Sequence, residues 1–377
     1  MNTEDDDKYL SNDDDNSEDY VNESGSLYPY SKDVDLQKIE VDLREDKMSV
    51  FELMRKIESK KFIFDPEFQR SDKAWKVWQK SMFIESLILN IPIPPFYFNQ
   101  AKNGHFIVVD GLQRCTAIKD FLDKKYRLEE LKALPWLNGK DCIDLKEEFP
   151  DIYARIEDKS ILFFAIKPSV PMPVIYDIFK RINTGGTVLQ RQEIRNCIYL
   201  GKSTRLLKRL AESDEFTTAI DKGIKPERMK DREAVLRCIA FAHMKSLGDY
   251  KGNLDEYLGI IMNRLNLMDD EEIAEIESKF KKIMILIRHV LSKNAFRIPT
   301  EWTRGVINLA LMEATYAFFY SFDEDKIQER EAMISQNYKK LLKDSVFLDS
   351  VKSSTGSLKK IEYRLNKCVN ILMEGIC

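Results

Sequence analysis

Histidine is scarce in this chain: His105, His243 and His289 are the only three in 377 residues, and they stand far apart with no metal-ligand spacing. That scarcity argues against a histidine-based nuclease or hydrolase. The six cysteines, Cys115, Cys142, Cys197, Cys238, Cys368 and Cys377, include no C-x-x-C pair and no regular spacing. A zinc ribbon and a disulfide framework are both set aside by that pattern. No apolar run approaches the roughly 20 residues that span a bilayer, no basic segment followed by an apolar one opens the N-terminus, and no internal repeat of fixed period is visible. The expectation is a cytoplasmic chain with no membrane partner.

What is present is an ordinary globular composition, 44% hydrophobic and 32% charged, long enough for two or three domains with a substantial core. The net charge of −4 is unevenly spread. Residues 1–24 hold ten acids and one base, a local balance of −9, so residues 25–377 carry +5. The acidic leader, 1–34, reads as a solvated disordered tail, with masking of a basic groove as the alternative role.

The stretch around which the chain is organised is Phe106 to Leu122. Phe106-Ile107-Val108-Val109 reads as a buried strand, and Ala117, Ile118, Phe121 and Leu122 recur at helical spacing. Between them Asp110-Gly111-Leu112-Gln113-Arg114 places a carboxylate, a glycine, an amide and a guanidinium where a helix begins and backbone N–H groups are unpaired. Such a corner suits an anion, phosphate above all. The structural alternative is that Asp110 caps the helix, Gly111 makes the turn and Arg114 pairs with a surface acid.

Taken in order, the chain predicts an extended piece at Ile39–Val41 and an amphipathic helix over Val50 to Ile57. A strand at Lys61–Phe64 leads into Asp65-Pro66-Glu67-Phe68-Gln69-Arg70, a second glutamine and arginine pair after a strand. The helix Lys76 to Leu89 puts Val77, Trp78, Met82, Phe83, Leu87 and Ile88 on one face and ends at the proline run Pro92, Pro94, Pro95. Phe96–Phe98 is a strand, Asn103-Gly104 a hairpin turn and His105–Val109 the return strand. Residues 128–148 read as a loop or small excursion, Ile161–Ile166 as a strand and Val174–Arg181 as a helix. Asn183-Thr184-Gly185-Gly186-Thr187 is a polar glycine turn, able to cap the same ligand from the opposite side or simply to join two helices. A helix over Leu189–Tyr199 carries Arg191, Glu193 and Arg195. From Leu200 onward the pattern is helical: Ala234–Leu247, a long helix from Asp269-Asp270 through Val290, Trp302–Phe319, Glu329–Leu342 and Leu358–Met373. Phe318-Phe319-Tyr320 reads as packing rather than a base-stacking platform, and Arg205, Lys208 and Arg209 as a solvated face.

Several of these motifs in this order resemble the GmrSD-type N-terminal domain, a family of the ParB and sulfiredoxin-like superfamily. The carriers are Pro66-x-x-Gln69-Arg70, Trp78, Glu85 to Pro95, Asp110-Gly111-Leu112-Gln113-Arg114, Arg181-Ile182-Asn183-Thr184-Gly185-Gly186 and Gln192-Glu193-Ile194-Arg195-Asn196. They cover about residues 35–200. The resemblance implies an α+β fold: a ParB/sulfiredoxin-like mixed α/β nucleotide-binding domain over 35–200, followed by a mostly helical domain over 201–377. It implies a component of a prokaryotic restriction-like, anti-phage system directed at modified DNA. Such members bind and hydrolyse nucleoside triphosphates through the Asp-Gly-x-Gln-Arg motif. Carried over residue by residue, Arg70, Asp110, Gln113 and Arg114 form the core of the site, Gln69 and Gly111 adjoin it, and Asn183 and Gly185 complete it. Two departures stand out: Leu112 where the family often has glutamine, and no histidine-rich nuclease motif after residue 200. The expected effector is therefore a separate subunit, and oligomerisation is open. Cys115 sits where a sulfiredoxin cysteine invites comparison, but the motif order differs and it reads as a small helix residue.

The residue chemistry agrees with that transfer. Planar guanidinium forks at Arg70 and Arg114 suit bidentate phosphate binding, Asp110 suits Mg²⁺ or an attacking water, and Gln113 suits orienting that water. Three readings stand side by side: an NTP-hydrolysing defence component, a DNA-binding or DNA-cleaving module on the same corner, and a noncatalytic nucleotide-gated interaction protein.

Overall fold

The computed structural model describes residues 43–63, 75–100, 104–170, 172–182, 190–242 and 247–374. The acidic leader, the extended piece at 39–41, Gln69, Arg70, Asn103 and the glycine turn 183–187 lie outside them. The described residues fall into two compact units, one of 43–201 with Pro226–Lys230 and one of Lys202–Lys225 with 231–374.

The first unit is built on a mixed five-stranded sheet. Its strands are β1 (Leu43–Ser49), β2 (Phe62–Ile63), β3 (Phe96–Gln100), β4 (Phe106–Asp110) and β5 (Ser160–Ile166), in the spatial order β1-β5-β3-β4-β2. β3 and β4 are the expected antiparallel hairpin, while β5 runs parallel to β3 and β2 parallel to β4. β1, of sequence Leu-Arg-Glu-Asp-Lys-Met-Ser, has no apolar pattern to announce it, and forms because its backbone pairs along its whole length with β5 at the sheet edge.

Side chains alternate across this sheet. Phe106 and Val108 of β4, Phe96 and Phe98 of β3, and Ile161, Phe163 and Ala165 of β5 enter the larger core. That core is closed by α1 (Val50–Glu58), α2 (Val77–Ile88), α3 (Leu112–Leu122), α4 (Cys142–Glu148) and α5 (Pro150–Glu157). Ile107 and Val109 face the other way, onto α6 (Met172–Ile182) and α7 (Arg191–Ile198). Within the larger core the Phe62 ring stacks on Phe106 at 4.8 Å and meets Phe98 edge-on at 4.7 Å, geometries that suit the aromatic quadrupole.

Two expectations for this unit need correction. The stretch 128–148 is not all loop: its end is α4, capped by Asp141, whose Oδ1 accepts from the Ile143 and Asp144 N–H groups at 2.9 and 3.1 Å. On α2, Phe83, Leu87 and Ile88 are buried, but Trp78 and Met82 are exposed, because they lie on a neighbouring row of the helix surface. Glu85 explains why the intervening loop is nonetheless ordered. Its Oε1 accepts from the Ala133 and Leu134 N–H groups, both at 2.9 Å.

The second unit is helical in its described residues: α8 (Lys202–Ala211), α9 (Asp214–Ala219), α10 (Lys230–Ala242), α11 (Leu254–Leu267), α12 (Asp270–Leu291), α13 (Leu309–Ser321), α14 (Glu324–Gln328), α15 (Glu331–Leu341), α16 (Ser345–Lys352) and α17 (Leu358–Leu372). Asp269 caps α12 as its position suggests, accepting from Glu272 N–H at 2.8 Å. On α8, Lys202 pairs with Asp270 and Arg209 with Glu277, each at 2.7 Å, so the basic row is partly neutralised by α12. Phe318 and Phe319 are buried, as packing residues. The helix expected from Trp302 begins only at Leu309; residues 295–308 form a tight hairpin instead, and Asn308 caps α13 through the Leu311 N–H at 2.8 Å. Among the described residues no helix is long and apolar enough to cross a membrane.

At the centre of this unit Glu313 is fully buried between two arginines. Its Oε2 accepts from Arg237 Nε at 2.8 Å and its Oε1 from Arg364, which also donates to the Thr355 carbonyl at 2.6 Å. Removing the carboxylate would strand two buried guanidinium groups beside each other. Glu313→Ala should therefore cost about 3–5 kcal/mol in urea-unfolding stability. A loss of less than about 1 kcal/mol would show that the triad does not hold the helices together.

Candidate functional site

The corner at the end of β4 is assembled by strand, turn and helix in immediate succession. β4 ends at Asp110, with Tyr97 of β3 opposite it, just past a register shift between Tyr97 and Phe98. Gly111 then takes φ 98° as the N-cap of α3. A Cβ there would lie 2.4 Å from the Phe96 ring, so both the backbone and the packing require glycine. α3 starts at once, its first backbone bond running from Cys115 N–H to the Gly111 carbonyl at 2.8 Å.

One turn into α3, Arg114 is 8% exposed, and its guanidinium is committed within the corner. Nη2 donates to Asp110 Oδ2 at 2.7 Å and to the Pro95 carbonyl at 3.2 Å, and Nη1 donates to the Pro94 carbonyl. Its Cζ lies 4.4 Å from the centroid of the Phe96 ring. Arg114 thus ties the proline run to the strand end and the helix start. Arginine suits this role because its fork is planar, always charged and able to lie flat on an aromatic face. Gln113 makes a second tie, its Oε1 accepting from Trp75 N–H at 3.0 Å just before α2 begins.

Asp110 is the exposed member, its side chain 34% accessible. Oδ2 is held by Arg114, while Oδ1 has no partner among the described residues. Cys115 is fully buried directly behind, and burial pushes its thiol up to about 12. It packs as a small helix residue and is held in its protonated, unreactive form. No group of three or more histidine, cysteine, aspartate or glutamate side chains able to hold a metal occurs among the described residues.

The structure therefore brings Asp110, Gly111, Gln113 and Arg114 together. Gln69, Arg70, Asn183 and Gly185 lie outside the described residues. What sequence reasoning missed is the support: the Pro94 and Pro95 carbonyls, the Phe96 ring and the Trp75 N–H. The adjacency of Pro94 and Pro95 is the signal, since prolines cannot donate to a ladder and leave carbonyls to serve a side chain. On the opposite face of β4, α7 buries the polar run Gln192, Glu193, Arg195 and Asn196. Arg195 Nε donates to Gln192 Oε1 at 2.8 Å, and Glu193 Oε2 accepts from Gln190 N–H at 2.6 Å as a capping box.

Residues 50–200 match the family described as GmrSD restriction endonuclease, N-terminal domain. This segment is similar to GmrSD-type N-terminal domains. Every described residue of the corner lies inside it, and no nuclease-domain family is detected in the helical part. No curated protein and no solved structure matches the chain.

The geometry of this GmrSD-type corner separates support from ligand binding. Arg114→Ala should lower the unfolding stability of the ligand-free protein by about 2–4 kcal/mol, since two carbonyls and a carboxylate lose a charged donor. An arginine serving only a phosphate would leave that stability unchanged. Gly111→Ala should cost about 1–3 kcal/mol by thermal unfolding, through its positive φ and the Phe96 ring.

Proposed function

We propose that this chain is an NTP-binding and NTP-hydrolysing component of a restriction-like, anti-phage defence system that acts on modified DNA with a separate effector. The matched domain supports the restriction-like role. The observation that carries the nucleotide reading is Asp110, a partly exposed carboxylate at a helix start with one oxygen fixed by Arg114 and the other without a partner among the described residues.

That arrangement fits Mg²⁺ held by a single protein carboxylate. Magnesium keeps several waters and takes the rest of its octahedron from substrate phosphates, so a site without a protein cage suits it. The ion would neutralise charge on the phosphates, and phosphoryl transfer asks little else of a protein beyond positioning. Within this reading Asp110 holds the metal or orients the attacking water, and Gly111 makes the turn that starts α3 immediately after it. Arg114 is a positioning residue that fixes Asp110, and Gln113 holds the Trp75 segment against the helix. Phosphate contacts fall to Gln69, Arg70, Asn183 and Gly185, which carry the fork and the small polar turn such contacts use.

The test is phosphate release from each NTP with Mg²⁺, with and without chelator. Turnover is expected for the full chain, with a loss of at least about 100-fold in Asp110→Asn and a folded variant by circular dichroism. Undiminished turnover in Asp110→Asn overturns the assignment. Nucleotide binding without turnover in the unmodified chain points instead to a noncatalytic, nucleotide-gated switch.

A further inference from the structure

The hairpin of residues 295–308 in the helical unit is held from several sides and buries Phe296, yet it presents Trp302 and Val306 to water. Trp302 is 89% exposed and Val306 81% exposed. The strands meet at an Arg297–Ile307 bridge, and Asn308 N–H donates to the Phe296 carbonyl at 2.9 Å. The tip is closed by Thr300 and Thr303: Thr300 N–H donates to the Thr303 carbonyl at 2.9 Å, and Thr303 N–H to Thr300 Oγ1 at 2.9 Å. Gly305 takes φ 78°, and a Cβ there would lie 2.1 Å from the Ile298 carbonyl oxygen. From below, Arg297 donates to the carbonyls of Gly305 at 2.7 Å and Ile220 at 3.1 Å. Arg304 pairs with Asp221 at 2.5 Å and donates to the Lys293 carbonyl at 3.3 Å.

A rigid hairpin that leaves an indole in water forgoes about 2 kcal/mol of burial. Its surroundings indicate what would cover that ring. Arg304 follows the indole by two positions, pairs with Asp221 and donates to the Lys293 carbonyl, Arg297 lies bonded to the Gly305 carbonyl of the same turn, and Glu301 is the neighbouring acid. The Arg304 hydrogen bond holds the Asp221 carboxyl below the usual carboxylate range, and the bond from Arg304 to the Lys293 carbonyl sets those two residues side by side. Arg288 Nη1 and Arg297 Nε are buried N–H groups without an acceptor. An exposed indole two positions before Arg304, on a turn bonded to the Lys293 backbone, matches an unstacked base joined to a phosphodiester backbone. Bases inside a duplex have their faces covered, so this pattern selects a single strand.

We infer that the Trp302 hairpin is a binding site for single-stranded nucleic acid, with the indole stacking on a base and Lys293 and Arg304 tracking the phosphates. This site lies in the helical unit and does not depend on the nucleotide reading of the Asp110 corner.

The test is fluorescence anisotropy with labelled oligonucleotides of about 20 nucleotides, as single-stranded DNA, single-stranded RNA and duplex DNA, on the full chain. Over about 50–200 mM salt, a single strand should bind more tightly than the duplex, with affinity falling steeply as salt rises. The DNA and RNA arms identify which strand is the ligand. Trp302→Ala should weaken binding at least about 10-fold, and Trp302→Phe should retain most of it. Lys293→Ala should lower the slope of log affinity against log salt by about 0.7. Both side chains are exposed, so thermal unfolding should be unchanged. Equal affinity in Trp302→Ala, or no strand binding at low salt, overturns the inference and leaves the hairpin to a protein partner. Phosphate release from the same preparations reports on Asp110 alone, so the two proposals fail independently.

Discussion

The three-way contact of Arg114 with Asp110, the proline carbonyls and the Phe96 ring is the constraint on which the first unit depends. The residues it joins are separated in sequence by a whole hairpin, from Pro94 through β3 and β4 to Asp110. A β-hairpin fixes its own register but not the direction of the chain entering and leaving it. Arg114 supplies that direction by holding the entry and the exit to one planar group. Because that group is largely buried, its hydrogen bonds act in a low local dielectric, and none can be lost without leaving a polar atom unsatisfied. Gly111 is the complement of this contact, since only a residue without a Cβ lets the Phe96 ring lie where the guanidinium needs it.

This arrangement changes how a motif rich in charge is best understood. A carboxylate, an amide and an arginine at a helix start suggest three groups reaching toward one ligand. In the folded chain two of the three face inward: Gln113 takes the Trp75 N–H, and Arg114 takes two carbonyls and the carboxylate. Asp110 alone keeps an oxygen uncommitted among the described residues. A fixed carboxylate loses little entropy when it meets a cation, and preorganisation of that kind makes a lone acidic ligand useful.

How much of this was legible in the sequence follows from where the free energy resides. The β3–β4 hairpin, α3 and α12 are visible because burial imposes alternating or helical periodicity, and because Gly104, Gly111 and Asp269 mark their ends. β1 escaped because an edge strand of charged residues is held by its backbone pairing with β5, which leaves no side-chain pattern. The stretch 128–148 looked irregular because two backbone bonds to the distant Glu85 organise it, and a contact across 48 or 49 positions has no local signature. At the corner the residue types and their adjacency were legible, but their allocation was not. Nothing in the string Asp-Gly-Leu-Gln-Arg says that the arginine will find proline carbonyls before it finds a ligand.

The helical unit shows the opposite relation between charge and burial. Glu313 and its two arginines are sealed in the core, where an ion pair is costly to desolvate and a hydrophobic trio of similar volume would serve stability as well. What the triad adds is direction: α10, α13 and α17 each contribute one member, and the hydrogen bonds hold only when all three helices are in register. Arg297 does the same for the 295–308 hairpin by binding the Gly305 carbonyl within it and the Ile220 carbonyl outside it. Arg114, Arg364 and Arg297 all donate to main-chain oxygens, so these three buried arginines act as fasteners of irregular backbone. An exposed carboxylate or an exposed indole can then be presented on such a loop without the surrounding backbone giving way, because the fastening is already complete before any ligand arrives.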